Sequence, residues 1–287
     1  MLPDHAAVQV MYFRHFGKLA NLKHPRTYNE KINWRKLYQR DPRFCIYSDK
    51  YLVKEEVAKI IGWKYIIPTL WVGTDPEAIP FEDIEPPYVI KVNHSTGDNI
   101  FVRRRDDINK SEFVASLKRQ MAYNHGRAFR EWGYLYIQRR ILIERLVGAP
   151  EITPNDYKLY TYGGRVHFIL VVRDRFGSHR QNYYDRGWNL LPISCVHPGI
   201  GHDLPRPPDL DLMIELAERI ARPFDHVRVD LYQTPQGIFF GETTFYDGAG
   251  YEKISPPEWD LKFGEPWIIP NRHLTSPQLN LSPTPKL

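Results

Sequence analysis

HVRVDLYQTPQGIFFGETTFYDGAG, residues 226–250, reads as two strands joined by a short turn. With a period of two, Val227, Val229 and Leu231 point to one face, and Arg228, Asp230 and Tyr232 to the other. Thr234-Pro235-Gln236-Gly237 supplies Pro and Gly where a chain reversal favours them. The second strand brings Glu242 and Thr244, two residues apart, onto a shared face. An Arg-x-Asp strand beside a Glu-x-Thr strand can converge an arginine and two carboxylates on one spot. Two carboxylates a few ångströms apart repel unless a cation or a proton lies between them. A divalent ion with oxygen ligands suits that position. The same alternation also describes a merely solvated hairpin face, so the rest of the chain has to decide.

The chain of 287 residues allows one large domain or two small ones with ample core. Hydrophobic residues at 42% and charged residues at 25% are ordinary for a soluble globular protein. A net charge of +5 favours an anionic partner: a nucleotide, an acidic or phosphorylated sugar, or an acidic membrane surface. Cys45 and Cys195 are far apart and form no metal-type spacing, which makes a reducing cytoplasm the default. The N-terminus lacks the pattern of a signal peptide, and no apolar run is long enough to span a bilayer. The basic residues are dispersed among acids, so no nucleic acid is expected.

Thr27-Tyr28-Asn29-Glu30 is a capping box that predicts a helix through Tyr38, stopped by Asp41-Pro42. Ser48-Asp49 predicts a second helix, Lys50 to Ile61, with Val53, Val57, Ile60 and Ile61 as its stripe and Gly62 as its cap. Tyr65 to Val72 reads as a strand broken by Pro68, and Tyr88 to Val92 as a short apolar strand containing Lys91. A polar loop, Asn93 to Asn99, follows, and Ile100 to Val102 returns. Ser111 to about Tyr123 looks helical, and Ile141-Leu142-Ile143 is an apolar run ending at Glu144. Asp156 to Tyr162 and Arg165 to Arg173 form a hairpin across Gly163-Gly164. Leu210 to Arg222 is an amphipathic helix with Leu212, Leu216 and Ile220 inward, and residues 272–287 read as a disordered tail.

A lysine at a strand end before a Ser/Thr/Gly loop suits phosphate, because hydroxyl and backbone donors can wrap the oxygens. Neither GxxxxGK[ST] nor GxGxxG is present. Taken singly, Lys91, Asp49-Lys50, Glu144 and Asp156-Tyr157-Lys158 all have plain readings as solvated or capping charges. The histidines show no HExxH spacing, and neither GxSxG nor a cysteine with a neighbouring base occurs, so zinc and covalent catalysis lack support.

In order, FGKLANLKHPRTYNEKINWRKLY, SDKYLVKEEVAKIIGWKYIIPTLWV, PPYVIKVNHSTGDN, REWGYLYIQRRILIERLV, DYKLYTYGG and VRVDLYQTPQGIFFGETTFYDGAG resemble the ATP-grasp superfamily. Specifically, they resemble its teichuronopeptide-biosynthesis (TupA-like) branch, over roughly residues 14–266. The resemblance implies an α+β, ATP-grasp fold with Mg-ATP held between two lobes of antiparallel sheet and helices. It implies an N-terminal helical/αβ region (1–75), a small lobe with a phosphate loop (76–150) and a C-terminal lobe with a magnesium site (151–271). Lys50 resembles the first nucleotide lysine and Lys91 the second. His94, Ser95, Thr96, Gly97 and Asn99 fall in the loop that closes over the phosphates. Glu144 would lie at the hinge near the adenine with backbone contacts from Arg145 and Leu146, and Asp156 or Lys158 would touch ribose or phosphate. Asp230 and Glu242 resemble the magnesium carboxylates, and Arg228 the arginine that steadies the phosphoryl group. Many superfamily members have Glu-x-Asn where this chain has Glu242-Thr243-Thr244. A threonine hydroxyl ligates magnesium more weakly than an amide oxygen does.

The resemblance implies an ADP-forming ligase that activates a carboxylate as an acyl phosphate and joins it to an amine. In this branch the acid would be a uronic acid or similar acidic sugar of bacterial surface polysaccharide, joined to an amino acid or small amine. The work would be done in the cytoplasm, at the inner membrane where the substrate is lipid-linked. The aromatic, basic stretches Tyr28 to Tyr38 and Arg173 to Trp188 are the expected sugar-contact surface. A sugar kinase or glycosyltransferase of the same pathway, and a non-catalytic nucleotide-binding module, are the alternatives. The joint presence of Lys50, Lys91, Arg228, Asp230 and Glu242 favours catalysis.

Overall fold

The computed structural model describes residues 2–95, 99–148, 154–173 and 179–270. Thr96, Gly97 and the expected tail, 272–287, lie outside the described residues.

Four helices lead: α1 (Asp4–Phe16), α2 (Tyr28–Tyr38), α3 (Arg43–Ser48) and α4 (Leu52–Ile61). Strands β1 (Thr69–Gly73), β2 (Tyr88–Val92) and β3 (Ile100–Val102) follow. Then come α5 (Lys110–Ala122), α6 (His125–Phe129), α7 (Trp132–Leu135) and β4 (Ile141–Arg145). The second half holds β5 (Asn155–Tyr162), β6 (Arg165–Arg173), β7 (Arg180–Asp185), β8 (Leu190–Leu191) and β9 (Ser194–Cys195). It closes with α8 (Leu210–Ala221), β10 (His226–Thr234), β11 (Gly237–Thr244), β12 (Ile254–Ser255) and α9 (Glu258–Gly264).

The capping box forms: Thr27 Oγ1 accepts from the Glu30 amide at 3.3 Å, and Glu30 Oε2 accepts from the Thr27 amide at 3.2 Å. The second predicted helix starts two residues late. Asp49 Oδ1 accepts from the amides of Tyr51 (2.8 Å) and Leu52 (3.3 Å), which leaves Lys50 in the turn ahead of α4. The strand expected from Tyr65 begins only at Thr69, because Pro68 has no N–H to give a ladder. α6 and α7 were not predicted; at five and four residues they are too short to show a helical period. On α8 the inward residues are Met213, Leu216, Ala217 and Ile220, and the expected Leu212 is exposed.

Two antiparallel sheets organise the molecule. The smaller has the order β1-β4-β2-β3. Tyr88, Ile90, Val92, Ile141 and Ile143 join one core with Leu117 of α5. Alternation therefore puts Val89, Lys91, Leu142 and Glu144 on the opposite face. The larger has the order β11-β10-β5-β6-β7-β8, with α8 packed against β5, β6 and β10.

α2 is a buried spine rather than a sugar-contact surface: Tyr28 through Lys36 are all buried, as are Tyr183, Tyr184 and Trp188. Its polar side chains hold the backbone of the last segment. Asn29 Nδ2 donates to the Glu252 carbonyl (2.9 Å), Asn33 Nδ2 to that of Gly250 (2.8 Å), and Arg35 to those of His226 (3.0 Å) and Phe245 (3.1 Å). Buried carbonyls need such donors. No helix among the described residues is long and apolar enough to cross a membrane.

Candidate active site

The deciding hairpin forms, with a feature alternation alone does not provide. Arg228 pairs with Thr244 and Asp230 with Glu242, but Leu231 then pairs with Phe240. Gly241 is the extra residue of a β-bulge. Counting back from the turn without it, residue 241 would oppose Asp230 and Glu242 would point to the other face. The bulge therefore places Glu242 and Thr244 beside Arg228 and Asp230. Gly241 is suited to it, since a Cβ there would lie 2.9 Å from the Tyr232 ring and 3.2 Å from the Asp230 carbonyl oxygen.

Across three strands this gives rows on one face: Thr244–Arg228–Tyr160, Glu242–Asp230–Lys158 and Phe239–Tyr232–Asp156. Lys158 Nζ lies 2.6 Å from Asp230 Oδ2 and 3.0 Å from Asp156 Oδ2. Arg228 Nε meets Asp230 Oδ1 at 2.7 Å, its NH2 lies 3.7 Å from Glu242 Oε1, and its NH1 pairs with Asp247. Lys50 Nζ reaches Glu242 Oε2 at 3.2 Å and donates to the Ser95 carbonyl at 2.8 Å, linking the loop after β2 to β11. Burial and Arg228 push the Lys158 ammonium toward losing its proton, but Asp156, Asp230 and Glu242 outweigh them and raise its pKa. Asp156 and Lys158 are thus not ordinary exposed strand charges.

The smaller sheet contributes the opposite arrangement. Glu144 is 1% exposed, so its strand-end carboxylate does not face water. Oε1 lies 2.5 Å from Lys54 Nζ, and Oε2 pairs with Lys91. Lys54 also donates to the Ile67 carbonyl (2.8 Å) and Thr69 Oγ1 (2.7 Å). Burial would raise the Glu144 pKa, but Lys91 and Lys54 together hold it below the usual carboxylate range.

Between the two sheets lies a cavity. Lys91, Asn99, Glu144, Arg145, Leu146 and Asp156 all line it, with Ile67, Val89, Phe101 and Tyr232 as apolar and aromatic walls. The Arg145 and Leu146 amides donate to the carbonyls of Pro68 and Pro87, both at 3.1 Å, so neither is free to donate to a ligand in this arrangement. His94 is buried away from this cavity's lining. Burial, and then Arg139, lower its pKa to about 4. Thr96 and Gly97 lie outside the described residues.

Asp230, Glu242 and Thr244 offer oxygen donors from adjacent strands, which suits a hard cation that completes its shell with phosphate oxygens and water. Both Asp230 oxygens already meet Lys158 or Arg228, so a cation would share that carboxylate with them. Among the described residues, no group of three His, Cys, Asp or Glu forms a self-sufficient metal cage.

Sequence reasoning missed Lys54 and Asp247. Lys54 follows Lys50 by one helical turn and could have been found as the second basic residue of Asp-Lys-x-x-x-Lys. Nothing local marks Asp247 as the partner of Arg228, because that contact depends on how the chain turns after β11.

The profile of a family described as "TupA-like ATPgrasp" matches residues 30–268. No curated protein matches the chain by sequence. Among solved structures, similarity extends to a D-alanine–D-alanine ligase from Bacillus anthracis complexed with ATP. The identity is 13%, over 70% of this chain and 55% of that one, with a TM-score of 0.41. It extends to the ATP-grasp ligase PsnB complexed with a minimal precursor, at 12% identity, 71% and 53% coverage and a TM-score of 0.41. It extends also to N5-carboxyaminoimidazole synthase from Aspergillus clavatus with ADP and 5-aminoimidazole ribonucleotide. There the identity is 13%, the coverage 72% and 47%, and the TM-score 0.43. The chain spans about half the length of each.

Proposed function

The chain belongs to the TupA-like ATP-grasp family, and from that premise we propose that it is an ATP-dependent, ADP-forming carboxylate–amine ligase. Its acid would be a uronic acid or similar acidic sugar of surface polysaccharide, and its amine an amino acid or small amine. It would act in the cytoplasm, where ATP is available.

The observation that best supports this reading is the Glu242–Asp230–Lys158 row with Arg228 beside it, next to the Tyr232–Asp156 row that lines the same cavity as Lys91 and Glu144. Transfer of a phosphoryl group to a carboxylate is mostly a matter of positioning and charge neutralisation. In this reading Lys91 and Lys50 meet the phosphate oxygens, and Asn99 belongs to the loop that covers them. Glu144, Arg145 and Leu146 border the base, and Asp156 or Lys158 the ribose or a phosphate. Arg228 balances the charge that builds on the phosphoryl group in flight. Asp230, Glu242 and Thr244 would hold magnesium, which when bound neutralises the phosphate charge. A net charge of +5 agrees with anionic substrates.

The test is release of ADP and inorganic phosphate from Mg-ATP, screened over uronic acids and amines. The ligase yields both products and an amide. ADP with a phosphorylated sugar and no free phosphate would instead mean a kinase, and turnover undiminished in both Asp230→Asn and Glu242→Gln would remove the metal assignment.

A further inference from the structure

Arg228 joins Asp230 to Asp247, and Asp247 lines a second, smaller pocket with room for about one water-sized group. Its walls include Tyr160, Tyr183, Cys195, Asp247, Glu252 and Phe263. The turn that carries the two carboxylates is built unusually. Gly248, Ala249 and Gly250 have φ of 52°, 51° and 67°, three left-handed residues in succession. α2 fixes this path from below through Lys36 to the Ala249 carbonyl, Asn33 to that of Gly250 and Asn29 to that of Glu252. A Cβ on Gly248 would lie 2.4 Å from Glu252 Cδ and 2.8 Å from its Oε2, so the Glu252 carboxyl rests against bare backbone. Asp247 is matched by Arg228 and by the Tyr160 hydroxyl, which donates at 3.0 Å. Glu252 meets only the Cys195 thiol at 3.7 Å, and among the described residues no basic side chain ion-pairs with it.

We propose that Glu252 is the general base of the amide-forming step, and that this cavity receives the amino group of a primary amine. This rests on the ligase reading above. The amine enters as an ammonium, Glu252 takes one proton, and the freed nitrogen lone pair attacks the carbonyl carbon of the acyl phosphate. The C–N bond forms as the C–O bond to phosphate breaks, and the second nitrogen proton leaves with the phosphate as hydrogen phosphate. Glu252 shares this pocket with Asp247, which Arg228 joins to Asp230, a carboxylate that would hold magnesium in this reading.

The groups around Glu252 suit that role. Burial first, and Asp247 second, raise its pKa to about 7, against the opposing pull of Arg228 on β10, Cys195 on β9 and Lys158 on β5. A base works best with a pKa near the working pH. Burial holds the Cys195 thiol and the Tyr160 and Tyr183 hydroxyls protonated, so these walls stay neutral donors beside the Arg228-paired Asp247.

The experiment uses the full chain with Mg-ATP and, as acids, glucuronate, galacturonate and their uridine diphosphate esters. Each is offered hydroxylamine, which is unprotonated at neutral pH and needs no base, or an ordinary amine (glycine, alanine, glutamate or ethanolamine). Glu252→Gln is expected to keep hydroxamate formation within about twofold and to lose amide formation by about 10²-fold. The residual amide rate should climb with pH as free amine accumulates. Gly248→Ala, which crowds the carboxyl, should show the same split more weakly. Equal loss of both products, or loss of neither, overturns the assignment. So does a wild type that makes hydroxamate but no amide. Absence of hydroxamate from wild type with every acid overturns the ligase reading itself.

Discussion

The two sheets present charge clusters of the same side-chain types with the sign reversed, a cationic end and an anionic end. At the smaller sheet, one carboxylate, Glu144, lies between two ammonium groups, those of Lys54 and Lys91. At the hairpin, Asp156, Asp230, Glu242 and Asp247 face Lys50, Lys158 and Arg228, four acids to three bases. The first end has positive charge to spare and the second negative charge. The first suits an anion and the second a cation, and a magnesium nucleotide is both along its length.

The sharpest way to break this comparison is to remove the single acid of the cationic end. Glu144→Gln leaves two ammonium groups facing each other without their counter-ion. Breaking a buried pair by removing one partner costs about 3–5 kcal/mol. Urea titration should therefore show a stability loss of that size, partly recovered in the Glu144→Gln, Lys91→Gln double variant. Asp230→Asn should act differently, because Asp156, Glu242 and Asp247 still surround the cations. Its stability loss should be the smaller of the two, while ATP turnover falls by about 10²-fold, the scale of one lost electrostatic contact in a transition state. Equal stability losses in the two variants would show that the ends are not electrostatically distinct.

Glu144 of the cationic end and Glu252 of the second pocket should also respond to pH in opposite senses. The Glu144 pKa is lowered from 4.5 on folding, so the folded chain releases a proton that the unfolded chain keeps. Its contribution is present above about pH 4.5 and is lost as the pH falls through the folded value. Glu252 is raised from 4.5 to about 7. Its contribution is complete below about pH 4.5 and is lost as the pH rises towards 7. Each slope is bounded by about 1.4 kcal/mol per pH unit for one proton. Denaturant midpoints of wild type measured from pH 2 to 8, minus those of Glu144→Gln and Glu252→Gln, should therefore trend in opposite directions, the first below about pH 4.5 and the second between about 4.5 and 7.

How much of this was visible in the sequence follows the range of the interactions. The alternation along each strand of the hairpin was legible because it is local, and Tyr88–Val92 and the Gly163-Gly164 hairpin were legible for the same reason. The capping box of α2 announced itself within four residues. The burial of α2 did not, because its Asn, Lys and Arg side chains look solvent-seeking until the carbonyls of residues 245–267 are brought to them. Glu144 looked like an exposed strand end because its two lysines come from α4 and β2, over fifty residues upstream. The bulge at Gly241 lay between: a glycine in a strand pattern hints at one. Only the register says which face Glu242 takes.

The smallest expected effect concerns the weakest member of the cation-seeking end. Thr244 stands opposite Arg228, two residues beyond Glu242. A hydroxyl and an amide oxygen are both neutral donors, so exchanging one for the other alters a contact without altering the charge balance. Such a contact is worth about 0.5–1.5 kcal/mol, or about two- to tenfold in affinity. Thr244→Asn should lower the magnesium concentration that half-saturates ATP turnover, and Thr244→Val should raise it, each within that span. The isosteric Val keeps the β-branched shape that suits β11, so its effect reports the lost oxygen rather than a lost strand. If Val leaves the magnesium dependence unchanged while Asp230→Asn abolishes turnover, the hairpin holds its cation through carboxylates alone. The excess of negative charge, rather than the count of oxygen donors, would then define that end.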